Sequence, residues 1–430
     1  MNDADTICAC ATAWGHAALA VVRVSGPEAR AAAERVAGRC GAPRVASYRR
    51  FRDRDGTFDD GVVTWFPGPR SYTGEDVVEL SGHGNPLLVE RLLRALGVRL
   101  ARPGEFTRRA FLNGRLDLTR AEAVIATIEA TSRRGLDLAR AGMDGRVAEE
   151  VASLRAALTD LAAELEAILD YPGEDLLFEA DGTIAGRMRA QAARAAAAAG
   201  SVRAGRVAVE GARVVLSGPV NAGKSSLFNA LLGRERAIVS AAPGTTRDAV
   251  EAPLQLESMR IVLVDTAGER ETEDVVEATG VAHAAAERAA ADLVLRCVPP
   301  GAEAPGQEAG ALVVRTMADV SPPNVVETSG VAVSSRTGAG LPELRAAIVA
   351  ALGGETPGNS SLILTSARQA ASFAQVAVQV EEAASALGTA GPAVSVELLY
   401  AALESLSEVD GSAVREAVLD RLFARFCVGK

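Results

Sequence analysis

The chain has 430 residues, 48% of them hydrophobic and 23% charged, enough to bury two or three cores in an ordinary soluble protein rich in alanine and helix. A net charge of −10 and a pI near 5.1 exclude broad, non-specific nucleic-acid binding, but not a local basic patch or an RNA delivered by a partner. Five scattered cysteines (Cys8, Cys10, Cys40, Cys297, Cys427) form no CxxC pair, which fits a reducing cytoplasm and no zinc; the acidic start Asn2-Asp3-Ala4-Asp5 speaks against a signal peptide, and no apolar run is long enough to span a bilayer.

Residues 1–118 read as a mixed α+β domain. Thr6 to Ala11, Ala18 to Val24, Val62 to Phe66 and Val77 to Leu80 are apolar, β-branched strand candidates, with Pro67-Gly68-Pro69 as a loop between the last two. Cys8 and Cys10 alternate on the first of them and read as two core thiols. Pro86 to Leu96 has helical spacing. The segment Ala101 to Arg115 is dense in arginine, aromatic residues and turn formers; a solvated charged loop and a pocket for an anionic or aromatic ligand both fit it.

Residues 119–210 are helical in pattern, interrupted at Tyr171-Pro172-Gly173 and Ala180-Asp181-Gly182, and residues 354–430 are helical again after a linker, Pro357 to Ser361. Neither block shows a fixed-period repeat, so one helical domain carrying an inserted α/β unit is expected.

That unit, residues 211–353, opens with Gly218-Pro219-Val220-Asn221-Ala222-Gly223-Lys224-Ser225, between the apolar run Arg213 to Leu216 and the helical stretch Ser226 to Leu232. Strand, glycine-rich turn and helix are the context of a phosphate-binding loop, whose N–H groups and helix N-terminus face the phosphates. Lys224 would reach the terminal phosphates and Ser225 would bind Mg²⁺. Lys224 and Lys430 are the only lysines among 45 basic residues, so a chain that otherwise writes arginine kept a point charge in this loop. Asp265-Thr266-Ala267-Gly268 ends the strand Ile261 to Val264, where the aspartate can hold the Mg²⁺ water shell and the Gly268 N–H can meet a γ-phosphate. Pro243-Gly244-Thr245-Thr246 lies between the two motifs, where a switch loop would place a threonine on Mg²⁺. After Leu312-Val313-Val314, guanine-specific hydrolases carry Asn-Lys-x-Asp; here Thr316-Met317-Ala318-Asp319 keeps the aspartate for guanine's two N–H donors and loses the ammonium. Ser334-Ser335-Arg336 matches the loop that contacts the guanine carbonyl.

These motifs and both ends of the chain resemble the MnmE (TrmE) family of tRNA-modification GTPases. The resemblance rests on Ser71-Tyr72-Thr73-Gly74-Glu75-Asp76, Gly82-His83-Gly84, Arg102 to Thr107, Ala110 to Gly114 with Leu116-Asp117-Leu118, and the terminal Phe426-Cys427-Val428-Gly429-Lys430. It implies an N-terminal domain that dimerises and binds a tetrahydrofolate one-carbon donor in the 5,10-methylene form, with Arg23, Glu79, Arg115 and Lys430 as its contacts. It implies a homodimer that forms a heterotetramer with an FAD-dependent MnmG-type partner and adds an aminomethyl-type group to carbon five of the wobble uridine of certain tRNAs, in the cytoplasm and without a membrane. FAD would enter only through that partner. Cys427 would serve the modification chemistry.

For the nucleotide the resemblance implies GTP held by Asn221, Ala222, Gly223, Lys224, Ser225 and Ser226, by Ser240, Ala241, Ala242, Pro243, Gly244, Thr245 and Thr246, by Asp265 to Gly268, and by Thr316, Met317, Ala318, Asp319, Ser334, Ser335 and Arg336. Asn221, Ser240, Ala242 and Thr245 match positions that hold K⁺; Ser225 and Thr246 match the Mg²⁺ ligands. Spacing alone nominates Glu269 as the residue that handles the attacking water, whereas the family's catalytic glutamate matches Glu277. The departures are Ala17-Ala18 after Gly15-His16, Asn85 after His83-Gly84, Arg115 and Met317; His83 reads as a buried, hydrogen-bonded histidine. A GTP-dependent assembly or signalling switch without one-carbon chemistry is the competing reading, and an ATPase rests on Met317 alone.

Overall fold

The structure, a computed structural model, describes residues 5–170, 181–233, 250–256, 259–265, 287–303, 310–320, 330–352, 362–414, 416–426 and 428–429. The chain opens with β1 (Ile7–Cys10), β2 (Ala17–Ser25), α1 (Ala29–Ala37), β3 (Ser47–Asp53), β4 (Gly56–Phe66), β5 (Val77–Gly84), α2 (Pro86–Leu96), β6 (Arg99–Leu100) and α3 (Glu105–Leu112). Five helices follow: α4 (Leu118–Glu129), α5 (Arg133–Met143), α6 (Arg146–Asp170), α7 (Asp181–Gly200) and α8 (Val202–Glu210). The α/β stretch contains β7 (Ala212–Ser217), α9 (Lys224–Leu232), β8 (Val250–Leu256), β9 (Met259–Asp265), β10 (Leu293–Val298), β11 (Ala311–Arg315), β12 (Val331–Ala332) and α10 (Leu341–Ala351). The last described helices are α11 (Ala367–Thr389), α12 (Pro392–Asp410) and α13 (Glu416–Phe423). Two compact units result: Met1–Ile125 with Met143–Ala192 and Gln375–Lys430, and Ala126–Gly142 with Ala193–Ala374.

The first unit holds a sheet of order β3-β4-β5-β2-β1-β6, antiparallel except where β1 meets β6. Strand alternation turns Ala20, Val22 and Val24 of β2 into a core shared with α1 and α2, and puts Arg23 on the opposite face. Helix α2 has the expected bounds because its ends are locally coded. Asn85 accepts from the Leu87 N–H as its cap, Pro86 opens it, and Gly97 at φ 64° closes it. Asn85 thereby has a structural reason to stand where the family has glycine.

The arginine-rich segment is not simply a solvated charged loop. Its centre is α3, with Phe106, Thr107, Arg109 and Ala110 buried. Arg109, 2% exposed, pairs with Asp5, Glu75 and Glu105, and such a guanidinium is tolerable in the interior because acids surround it. Hydrogen bonds from Arg99 and then Arg109 pull the Asp5 carboxyl down to about 2. Strand β3 and helix α1 complete the layer; β3 buries Phe51 alone and so lacks the alternation that marks a strand. Cys8 is buried, its thiol pushed up to about 11 by burial, whereas Cys10 is only half-buried and is not a core thiol.

Also in this unit, α6 buries Val147, Val151, Leu154, Leu158, Leu161 and Leu165 at helical spacing. Arg155 of α6 donates to Ser407 and Asp410 of α12 at 3.0 and 2.8 Å. Leu419, Leu422 and Phe423 of α13 pack with Phe426 onto Leu118, Ala121 and Val124 of α4. Of the expected interruption Ala180-Asp181-Gly182, Asp181 and Gly182 begin α7, while Ala180 and the other expected interruption, Tyr171-Pro172-Gly173, lie outside the described residues.

The second unit is built on a sheet of order β12-β11-β10-β7-β9-β8, parallel except for the β8–β9 edge. Its strands are near-continuous apolar runs, as a parallel sheet covered on both faces requires. Val214, Leu216, Ile261, Leu263 and Leu295 form the core with Leu227 and Leu231 of α9 and Leu344 and Ile348 of α10. Among the described residues no helix is long and apolar enough to cross a membrane.

Candidate nucleotide-binding site

The site lies at the carboxyl ends of the parallel strands, where open α/β sheets bind ligands. Strand β7 ends at Ser217 and the chain turns sharply into α9. Gly218 has φ 144°, and a Cβ there would lie 2.5 Å from the Cys297 carbonyl oxygen, so only glycine fits against β10. Asn221 and Gly223 have φ 63° and 80°, which curls the turn into a concave backbone. The first N–H groups of α9 lack acceptors within the helix and face the same concavity. Lys224 is 7% exposed and donates through Nζ to the Gly218 and Pro219 carbonyls at 2.8 and 2.9 Å. Its ammonium is thus laid over the loop, where phosphate oxygens would be its acceptors.

Asp265 ends β9 in register with Leu216 of β7. Its Oδ1 is buried with no hydrogen-bond partner. A carboxylate oxygen without a protein donor suits the outer shell of a hard cation, and Ser225 at the helix start offers the hydroxyl that Mg²⁺ takes directly. The donor set therefore fits Mg²⁺ with a polyphosphate.

The base-reading corner follows β11. The Thr316 hydroxyl, 4% exposed, donates to the Ala222 carbonyl at 2.7 Å and ties this corner to the phosphate turn. Met317 has φ 57°, and its methyl group stands 3.5 Å from where a Gly223 Cβ would be. Asp319 accepts from the Ser334 hydroxyl at 2.6 Å on one oxygen and from Arg336 at 2.8 Å on the other. The Ser334 hydrogen bond, with Arg336 adding to it, holds the Asp319 carboxyl below the usual carboxylate range, so it stands as an ionised acceptor. Gly223, Ser226, Thr316, Met317, Asp319 and Arg336 line a cleft of about 400 Å³, with Val320 and Ser335 beside them. Val320 is a lining residue that the motif pattern did not reveal.

In the first unit Arg23 of β2 faces Glu79 of β5 directly across the sheet, with 3.0 and 2.8 Å contacts to one carboxylate oxygen. The guanidinium lies 5.3 Å from the Tyr72 ring centroid and 5.8 Å from that of Phe106, aromatic neighbours that sequence reasoning missed. Its Nη1 donates to the Gly429 carbonyl at 3.3 Å, which brings the terminal motif to the same place. Arg115 is held by the Ser71 carbonyl at 3.1 Å, next to Tyr72. His83 is hydrogen-bonded, as expected, but exposed rather than buried: its Nδ1 meets Asp59 at 2.6 Å, and that bond raises its pKa. Ala17, one of the departures, belongs to β2 and pairs with Gly84.

Ser240 to Thr246, Thr266 to Gly268, Glu269, Glu277, Cys427 and Lys430 lie outside the described residues, as does the 357–361 linker.

Residues 6–115 match the family model described as GTP-binding protein TrmE N-terminus, and residues 118–427 match the MnmE helical domain. The chain is 43% identical over 447 residues to the tRNA modification GTPase MnmE of Methylobacterium radiotolerans, covering 100% of both chains. It is 43% identical over 449 residues to the tRNA modification GTPase MnmE of Myxococcus xanthus, covering 99% of each. Among solved structures, the G domain of the T. maritima FeoB iron transporter aligns with 33% of this chain and 98% of its own at 27% identity and a TM-score of 0.27.

Proposed function

The chain belongs to the MnmE (TrmE) family of tRNA modification GTPases, and from that premise we propose that it hydrolyses GTP to drive modification of the wobble uridine of certain tRNAs. The observation that carries this reading is one cleft lined by Gly223 of the phosphate turn, by Thr316, which is hydrogen-bonded to that turn, and by the ionised Asp319, with Lys224 laid over the same turn. Lys224 and the backbone of the Gly218–Gly223 turn hold the phosphates, and Asp319 accepts guanine's two N–H donors. Adenine offers no matching pair. Met317 packs on the base without contributing charge, which lowers affinity and leaves the choice of base intact.

Ser225 and Thr246 are the Mg²⁺ ligands, and Asn221, Ser240, Ala242 and Thr245 the K⁺ ligands, in this reading. Held by these residues, the two ions would supply positive charge against the negative charge that develops on the phosphates. Glu277, rather than Glu269, orients the attacking water through hydrogen bonds. Arg23, Glu79, Arg115 and Lys430 bind a 5,10-methylene-tetrahydrofolate donor: the acid suits the pterin amide edge and the cations a glutamate tail. Cys427 acts in the modification itself. The chain works in the cytoplasm as a homodimer joined to an FAD-carrying MnmG-type partner, with domains at 1–118, 119–210 plus 354–430, and 211–353.

Nucleoside analysis of tRNA from cells lacking the chain tests this. The modified wobble uridine should vanish, return with the wild-type chain, and stay absent with Glu277→Ala, whose GTP turnover should drop roughly 10²-fold. Unchanged wobble nucleosides in the deletion strain would end the proposal.

A further inference from the structure

At the base-reading corner both oxygens of Asp319 are engaged, and their two partners differ in kind. Ser334, which meets Oδ1, is 1% exposed and fixed by the fold. Its N–H donates to the Ala339 carbonyl at 2.9 Å, its carbonyl accepts from the Gly338 N–H at 2.9 Å, and its hydroxyl oxygen accepts from the Thr337 N–H at 3.1 Å. Arg336, which meets Oδ2 through Nη2, has a side chain 78% exposed, and Asp319 is its only ion-pair partner among the described residues. The first donor belongs to the frame of the corner. The second stands in solvent and can leave.

The removable partner also has the chemistry of the base. Guanine presents its N1–H and its 2-amino group along one edge, an N–C–N unit with two parallel donors, and a guanidinium carries the same unit. A carboxylate accepts either one as a fork. Arg336 lines the cleft together with Asp319, and it is the one cation among the described residues that line it, since Met317 stands where guanine-specific hydrolases carry lysine. Guanine and Arg336 thus contend for one oxygen from within one cleft.

We propose that Arg336 is a built-in competitor of guanine: its guanidinium must leave Asp319 Oδ2 before the base can take both oxygens, so this ion pair sets how readily guanine nucleotides enter. The proposal rests on the reading of Asp319 as the acceptor of guanine's two donors. Apparent affinity falls by the fraction of the protein in which Arg336 holds the carboxylate. Choice of base stays with Asp319, because the competitor penalises every nucleotide that must reach that oxygen. An ion pair this exposed is weak, so the penalty on guanine nucleotides is about two- to fivefold.

The test uses the full-length protein and GDP carrying a fluorescent methylanthraniloyl group on its ribose, mixed in a stopped-flow instrument. Arg336→Gln should speed association about two- to fivefold and leave dissociation unchanged, so that the variant binds GDP more tightly than wild type. Arg336→Lys, which keeps a cation beside Asp319, should stay close to wild type. With K⁺ held constant and choline chloride raising the ionic strength from about 50 to about 500 mM, the gap between wild type and Arg336→Gln should close, because salt screens an exposed pair. A gap indifferent to salt would assign the effect to side-chain shape and overturn the proposal. Equal or weaker GDP binding by Arg336→Gln would also overturn it, and weaker binding would make Arg336 a ligand of the nucleotide. Both results leave the reading of Asp319 standing as long as wild type prefers GTP to ATP. Equal binding of ATP and GTP by wild type would remove that reading, and the competitor with it.

Discussion

The Gly218–Ser225 turn and the Thr316–Asp319 corner face one cleft, yet the first is set by backbone conformation and the second by side-chain hydrogen bonds. Gly218 and Gly223 are dictated by positive φ, and Gly218 also by the carbonyl of Cys297 against which it lies. At the corner, Thr316, Ser334 and Arg336 hold Asp319 and its link to the turn, and residue 317 only lies alongside. That difference explains where the chain departs from the usual pattern. A backbone-defined end admits almost no substitution, whereas a side-chain-defined end can lose one cation and keep its frame.

The largest effect should come from the phosphate end. Lys224→Ala removes the only cation of the turn and should reduce GTP turnover by about 10²–10³-fold, as removal of a donor aimed at developing charge does. A loss under tenfold would mean that the turn works through its backbone alone. Gly218→Ala comes next: strain at φ 144° plus the clash with Cys297 should cost about 3 kcal/mol. Trp14 and Trp65 both lie in the first unit, so tryptophan fluorescence during urea unfolding should be unchanged while hydrogen exchange across β7 and β10 accelerates. Acceleration in neither strand would contradict the close approach.

Thr316→Val keeps the shape and strands the buried Ala222 carbonyl, which should weaken GDP about tenfold, from a loss of about 1–2 kcal/mol. Unaltered GDP affinity would uncouple the two ends. The smallest change is Met317→Lys, which restores an exposed cation over the base and should tighten GDP a few-fold, with ATP still excluded. Equal binding of ATP and GTP by the natural chain would break the assignment of Asp319.

The same contrast decides what could be read from the residues alone. The phosphate turn and helix α2 were legible because their determinants are neighbours in sequence: Gly218 with Lys224, and Asn85 and Pro86 with Gly97. Helix α3 was hidden because its central residue, Arg109, is stabilised by Asp5 and Glu75, which are remote in the chain. Strand β3 was missed because one buried residue, Phe51, leaves no period to detect. His83 was placed in the core because its apolar strand neighbours are there; the buried member of the pair is Asp59, over which Gly82 leaves room for no side chain. Met317 was identified as a departure, but the anchoring of Thr316 on Ala222 could not be seen, since it needs the fold to bring residues 94 positions apart together.

One contact in the first unit bears on how the protein is made. Gly429, at φ 98°, lies so close to β1 that a Cβ would be 2.4 Å from the Cys10 carbonyl, and its own carbonyl takes Arg23 from 406 positions earlier. A ribosome delivers β1 and β2 early and Gly429 only after the entire nucleotide-binding unit has been synthesised. At about 5–20 residues per second, the Arg23 guanidinium waits some 20–80 seconds for that carbonyl. The inserted unit can complete its own sheet in that interval, whereas the unit that encloses it in sequence begins first and finishes last.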